Sequence, residues 1–108
     1  AGRDPRGLPL QTGDTEIVGR ITDLWIDVPE QLVRYLEVEL NSGSRRLLPM
    51  TMCKIWADRV RINAITADLV EDIPMTASTA QITKLEEDKI SGYIAGGWLY
   101  AKGRKRGH

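Results

Sequence analysis

The clearest pattern in the chain is a strict alternation from Arg34 to Leu40. Arg34, Leu36, Val38 and Leu40 fall on one side, and Tyr35, Glu37 and Glu39 on the other, which predicts a β-strand with one buried face. Upstream, Ile17, Val18, Ile21, Leu24, Trp25, Ile26 and Val28 form a second β-rich run, interrupted by Gly19, where a bend or bulge is expected. With regular alternation, Thr22, Leu24, Ile26 and Val28 would face the core, leaving Ile21, Asp23, Trp25 and Asp27 on the opposite side. Pro29 cannot donate to a ladder, so Val28-Pro29-Glu30-Gln31 separates the two strands. Asn41-Ser42-Gly43 is a short reversal, with glycine available for the left-handed position. The returning strand runs from Arg45 to Met50, stopped by Pro49, and a further one spans about Arg59 to Ile65, with Val60, Ile62 and Ala64 on its apolar side.

The ends of the chain differ in character. Residues 1–15 hold Gly2, Pro5, Gly7, Pro9 and Gly13, which predicts an extended lead-in and neither a helix nor a central strand. After Ile65 the β pattern stops. Residues 66–73 suit a short helical turn ending before Pro74. Thr83-Lys84-Leu85-Glu86 reads as a capping box opening a helix over 84–97, with Ile90, Tyr93, Ile94 and Trp98 forming its apolar stripe and Gly96-Gly97 marking its end. The fold class is mainly β with a C-terminal helix: short strands at close spacing closing into a small antiparallel β-barrel over residues 16–101. A basic tail occupies 102–108.

Composition narrows the function. The 108 residues support one domain, and 42% apolar with 28% charged residues is the balance of a folded globular chain. Fifteen basic residues match fifteen acidic ones, so no global field draws the chain to nucleic acid; the basic excess is local, at Lys102, Arg104, Lys105 and Arg106, where lipid headgroup contact is one reading. No apolar run is long enough to span a bilayer. One cysteine, Cys53, and one histidine, His108, can form neither an internal disulfide nor a conventional zinc site. No nucleophile–base pair, phosphate loop or metal cluster is present, which argues against an independent hydrolase.

The remaining candidates are carboxylates. Asp23 and Asp27 share a strand face, Glu30 lies in the turn beyond, and Arg34 opens the next strand within reach of Glu30. Such a series could pass protons, although solvated surface charge is the commoner explanation for acidic residues. Glu37 and Glu39 read as an outward face, Glu86-Glu87-Asp88 as a helix start, and Cys53 as a small inert hydrophobe.

The run from Asp23 through Leu40, with Trp25-Ile26-Asp27-Val28-Pro29-Glu30-Gln31 at its centre, closely resembles the H subunit of the purple-bacterial photosynthetic reaction centre. The resemblance continues through Arg46-Leu47-Leu48-Pro49-Met50, returns from Leu85 to Gly97, and includes the lead-in Arg3 to Pro9. It implies a PRC-barrel, a small, strongly bent antiparallel β-barrel with a C-terminal helix packed against it, and a non-catalytic role. Such a subunit caps the cytoplasmic face of the L and M subunits, at the bacterial inner (intracytoplasmic) membrane, and helps deliver protons to the secondary quinone. It binds no cofactor of its own: bacteriochlorophyll, bacteriopheophytin, quinone and non-haem iron belong to the partners. By the same resemblance Asp27, Glu30 and Arg34 are the proton-relay residues, with Arg34 set against Glu30. The family's transmembrane helix is not in this sequence, so the chain is expected to be the cytoplasmic part of a longer protein. The alternative is a stand-alone PRC-barrel adaptor that binds ribosomal protein or RNA.

Overall fold

The structure, a computed structural model, describes residues 4–101. Six strands form one sheet: β1 (Pro9–Thr12), β2 (Ile17–Asp27), β3 (Leu32–Leu40), β4 (Arg45–Pro49), β5 (Lys54–Ile55) and β6 (Val60–Ile62). Their spatial order is β4-β3-β2-β1-β6-β5. The sheet curls into a half-barrel around Leu10, Ile21, Leu36, Val38, Leu48, Val60 and Ile62, all of them almost completely buried. One pairing departs from the antiparallel expectation. β1 and β6 run parallel, with Leu10 opposite Val60 and Thr12 opposite Ile62.

That pairing also corrects the reading of the lead-in. Pro9–Thr12 is a central strand, between β2 and β6. Pro9 is tolerated as the first residue of the strand, and Leu10 and Thr12 are fully buried. Thr12 is accommodated because its hydroxyl donates to Asp14 Oδ1 at 2.5 Å. Glycine and proline thus bracket a strand that is too short to show alternation.

The core face of β2 also differs from regular alternation. Ile26 and Val28 are 57% and 75% exposed, whereas Ile21 is 1% exposed and Val18 is buried. The reason is a pair of irregularities. Between β1 and β2, Leu10 faces Gly19 and Gln11 faces Ile17, which leaves Val18 as an extra residue. Between β2 and β3, Ile21 faces Val38 and Asp23 faces Glu37, leaving Thr22 extra. Each inserted residue shifts the phase of the alternation. Inward positions therefore fall at Val18, Ile21 and Leu24, three apart. A third irregularity places Trp25 opposite Tyr35 but Ile26 opposite Val33, making Arg34 the extra residue of β3.

β3 follows its expected alternation at Leu36, Val38 and Leu40, which are buried. Along β6, Val60 and Ile62 are buried, but Ala64 is exposed because the strand ends at Ile62. A 3-10 turn, Ala67–Asp72, buries Leu69 and Val70. Helix α1 (Lys84–Gly92) opens with the full capping box: Glu86 N–H donates to Thr83 Oγ1 at 3.1 Å and Thr83 N–H to Glu86 Oε1 at 2.8 Å. The helix continues through a wider turn at Tyr93–Gly97, breaks at Gly96 (φ 123°), and resumes for one short segment, α2 (Trp98–Ala101). Ile90, Tyr93 and Ile94 bury the predicted stripe, and the Tyr93 hydroxyl donates to Leu69 O at 2.9 Å, tying α1 to the 3-10 turn.

Arg46 provides a second tie. Its side chain is 7% exposed and donates to three carbonyls, Ile73 O (2.8 Å), Glu71 O (2.6 Å) and Arg45 O (2.9 Å), and to the Ser44 hydroxyl. The buried cation is solvated by backbone dipoles, which fastens the 71–73 segment to β4.

Gly19 sits where β2 crosses closest to β3. A Cβ there would lie 2.4 Å from Glu39 O and 2.9 Å from Leu40 Cα, both backbone atoms that cannot step aside. Gly19→Ala is accordingly expected to destabilise the domain by about 1–3 kcal/mol. The loss should appear in urea unfolding as a lower midpoint at unchanged slope.

Candidate functional site

Of the clefts along the β2–β3 hairpin, two share Trp25 as a lining residue. The continued alternation of Asp23, Trp25 and Asp27 places these three on the outward face, as their spacing predicts. The first cleft, about 320 Å³, lies between this face, β4 and the segment 75–79. Its centre is Glu37, whose side chain is 16% exposed. Glu37 accepts from Trp25 Nε1 at 2.9 Å and from Arg45 Nη1 at 2.8 Å, and the same Arg45 nitrogen donates to Thr22 Oγ1 at 3.0 Å. Glu37 does face outward, but it is an organised acceptor rather than a freely solvated charge. Its register opposite Asp23, one residue past the Thr22 bulge, is what alternation alone does not reveal.

The second cleft, about 310 Å³, is lined by Trp25, Ile26, Asp27, Arg34, Tyr35, Ile82 and Glu87. Here the structure brings together two of the three expected relay residues. Arg34 donates from Nε (3.1 Å) and Nη2 (3.0 Å) to a single Asp27 oxygen, Oδ2. The other oxygen, Oδ1, accepts the Glu30 amide at 3.3 Å, closing the turn between the strands. Gln31 completes that turn with φ 55°, in the left-handed region. Arg34 reaches Asp27 because it is the extra residue of β3, a bulge being a common way to re-aim a side chain.

The expected pairing of Arg34 with Glu30 is therefore corrected: the guanidinium sits on Asp27, and Glu30 is exposed at the tip of the turn. With Arg34 54% and Asp27 26% exposed, their ion pair contributes about 1 kcal/mol or less to stability.

Tyr35 forms the floor of this cleft. It lies on the outward face of β3, yet α1 covers it and leaves it 7% exposed. Burial pushes its hydroxyl up to about 12, and the Glu87 carboxylate beside it adds to the rise. Cys53 is an inert thiol, also pushed up to about 12, by burial alone. Among the described residues no group of three or more His, Cys, Asp or Glu side chains is arranged to hold a metal ion, and no helix is long and apolar enough to cross a membrane. The basic tail at 102–108 and His108 lie outside the described residues.

These two environments predict different alkaline behaviour. A tyrosine that holds its proton longer folded than unfolded stabilises the fold fully below about pH 10. That contribution is lost as pH rises toward 12. Phenolate absorbance should show a late-titrating component that Tyr35→Phe removes. Cys53 should resist iodoacetamide near neutral pH in the folded protein and react once urea unfolds it.

Residues 1–69 match the family model of the PRC-barrel domain, which spans β1 through β6 and reaches the 3-10 turn. The match includes the half-barrel, the β2–β3 hairpin and both walls contributed by it to the clefts. Domains of this kind are generally non-catalytic. With the greater part of the chain matched and the curled six-stranded sheet in place, the protein belongs to the PRC-barrel family.

Proposed function

We propose that this chain is the cytoplasmic domain of a reaction-centre H subunit, which caps the L and M subunits and helps deliver protons to the secondary quinone. The observation that carries this reading is the end of the β2–β3 hairpin. There, Ile26, Val28 and Leu32 are 57%, 75% and 51% exposed and surround a turn that displays Glu30. Exposed apolar side chains around an acidic tip suit a protein surface that is covered in an assembly. Asp27 and Arg34 lie just behind that tip, in a cleft large enough for several waters. The close resemblance of Asp23 to Leu40 to that subunit supports the same assignment.

In this reading the residues have separate tasks. Glu30, exposed at the tip, meets the partner and exchanges protons with water or with a partner carboxylate. Asp27 accepts the Glu30 amide and thereby shapes the turn, while Arg34 neutralises Asp27 and holds it in one orientation. The quinone, the pigments and the non-haem iron belong to the partner subunits, and this domain supplies only the polar route and the cap.

Glu30→Gln in the full-length subunit, assembled with L and M, should slow proton-coupled reduction of the secondary quinone several-fold. Primary charge separation should be unchanged. Flash-induced absorbance kinetics of the two electron transfers measure both. An unaltered second transfer would remove Glu30 from the route. Failure of the full-length subunit to co-elute with an L–M core would instead favour the adaptor reading, whose mark is saturable binding to ribosomal protein or RNA.

A further inference from the structure

The β5–β6 hairpin carries a surface that neither the clefts nor the PRC-barrel assignment explains. Ile55, Val60 and Ile62 point into the core. By alternation Lys54, Trp56, Arg59 and Arg61 share the opposite, outward face. In the sequence these basic and aromatic residues are spread over two short segments with no visible period. The pairing of these two short strands brings them together, with Lys54 directly opposite Arg61 and the Arg59 guanidinium stacked 3.9 Å over the Trp56 ring. The row extends across the sheet, because Arg61 faces Gln11 on β1, and Gln11 faces Ile17 on β2.

The charges of this row are not balanced within the fold. Arg59 is paired with Asp58 in the turn at 3.0 Å. Arg61, by contrast, donates only to neutral amides, Asn63 Oδ1 and Gln11 Oε1, each at 2.6 Å. Among the described residues Lys54 has no ion-pair partner. Two uncompensated cations therefore lie together on one side of Trp56, 42% exposed, and share their face with Ile17, 47% exposed.

We infer that this face rests on an anionic phospholipid surface. Cations meet the phosphates there, while tryptophan and an aliphatic side chain enter the headgroup layer, the depth at which amphipathic rings and snorkelling basic chains accumulate in membrane proteins. Nucleic acid fits the same face less well. One face of its single aromatic ring is already covered by Arg59, and Ile17 offers nothing for a base to stack on. The inference does not depend on the reaction-centre reading, since it rests on a different face and on charge balance alone.

The test is sedimentation of the full chain with vesicles of phosphatidylcholine, with and without phosphatidylglycerol, at low salt. Binding is expected only with phosphatidylglycerol present, and it should weaken as salt rises. Lys54→Gln combined with Arg61→Gln should lower it by about 30-fold, roughly fivefold for each basic residue near the surface. Lys54→Arg should retain it. A nitroxide on the lipid headgroup should quench a component of tryptophan emission that is missing in Trp56→Phe. Because these side chains are at the surface, unchanged far-ultraviolet dichroism will show that the variants fold. Full binding by the double-glutamine variant, or identical quenching in Trp56→Phe, would overturn the inference and move the contact to another basic segment, such as residues 102–106. Binding to homopolymer RNA without binding to the vesicles would overturn it equally.

Discussion

The rest of the structure depends on how tightly β2 can bend while remaining hydrogen-bonded on both sides. It is an eleven-residue strand that pairs with β1 over its first part and with β3 along nearly all of it. A regularly pleated strand of that length would hold the sheet open. Extra residues at Val18 and Thr22, together with the glycine at position 19, which lets the β3 backbone approach, turn it sharply enough for both flanks to wrap one core. The resulting spacing of inward residues, Val18, Ile21 and Leu24, lets three apolar side chains from a bent strand reach a common centre.

The same irregularities organise the hairpin's outer surface. Thr22 as an extra residue places Asp23 opposite Glu37, where Trp25 and Arg45 hold the second carboxylate in place. Arg34 as an extra residue is directed onto Asp27, which in turn fixes the backbone amide of Glu30. Curvature and site are thus consequences of one set of backbone insertions. A change that regularised the ladder would flatten the barrel and scatter the polar groups together.

Much of this was legible in the sequence, and what was missed has a common physical cause. The alternation of Leu36, Val38 and Leu40, the reversal at Asn41-Ser42-Gly43, the 3-10 turn before Pro74 and the Thr83–Glu86 capping box depend on local periodicity or local hydrogen bonding, and each can be read from a few neighbouring residues. The core face of β2, the central place of β1 and the parallel β1–β6 pair depend on contacts between distant segments. Two-residue β5 is too short to display a period. At the site, the shared outward face of Asp23, Trp25 and Asp27 could be read directly. The choice of Asp27 over Glu30 as the partner of Arg34 could not, because it turns on a one-residue shift in register. Glu37 and Tyr35 were obscured for another reason: their neighbours, Arg45, Glu87 and helix α1, come from elsewhere in the chain.

Arg46 joins the two parts of the domain by a different kind of bond from the other cations discussed. Asp27–Arg34 and Glu37–Arg45 link opposite charges near water, so added electrolyte loosens them. Arg46 is held by peptide carbonyls, which do not titrate, and it is buried away from counterions. The junction between β4 and the 71–73 segment should therefore stay closed while the polar hairpin surface responds to its surroundings. The C-terminal half is in this way fastened to the sheet by contacts whose strength does not depend on the charge of any carboxylate.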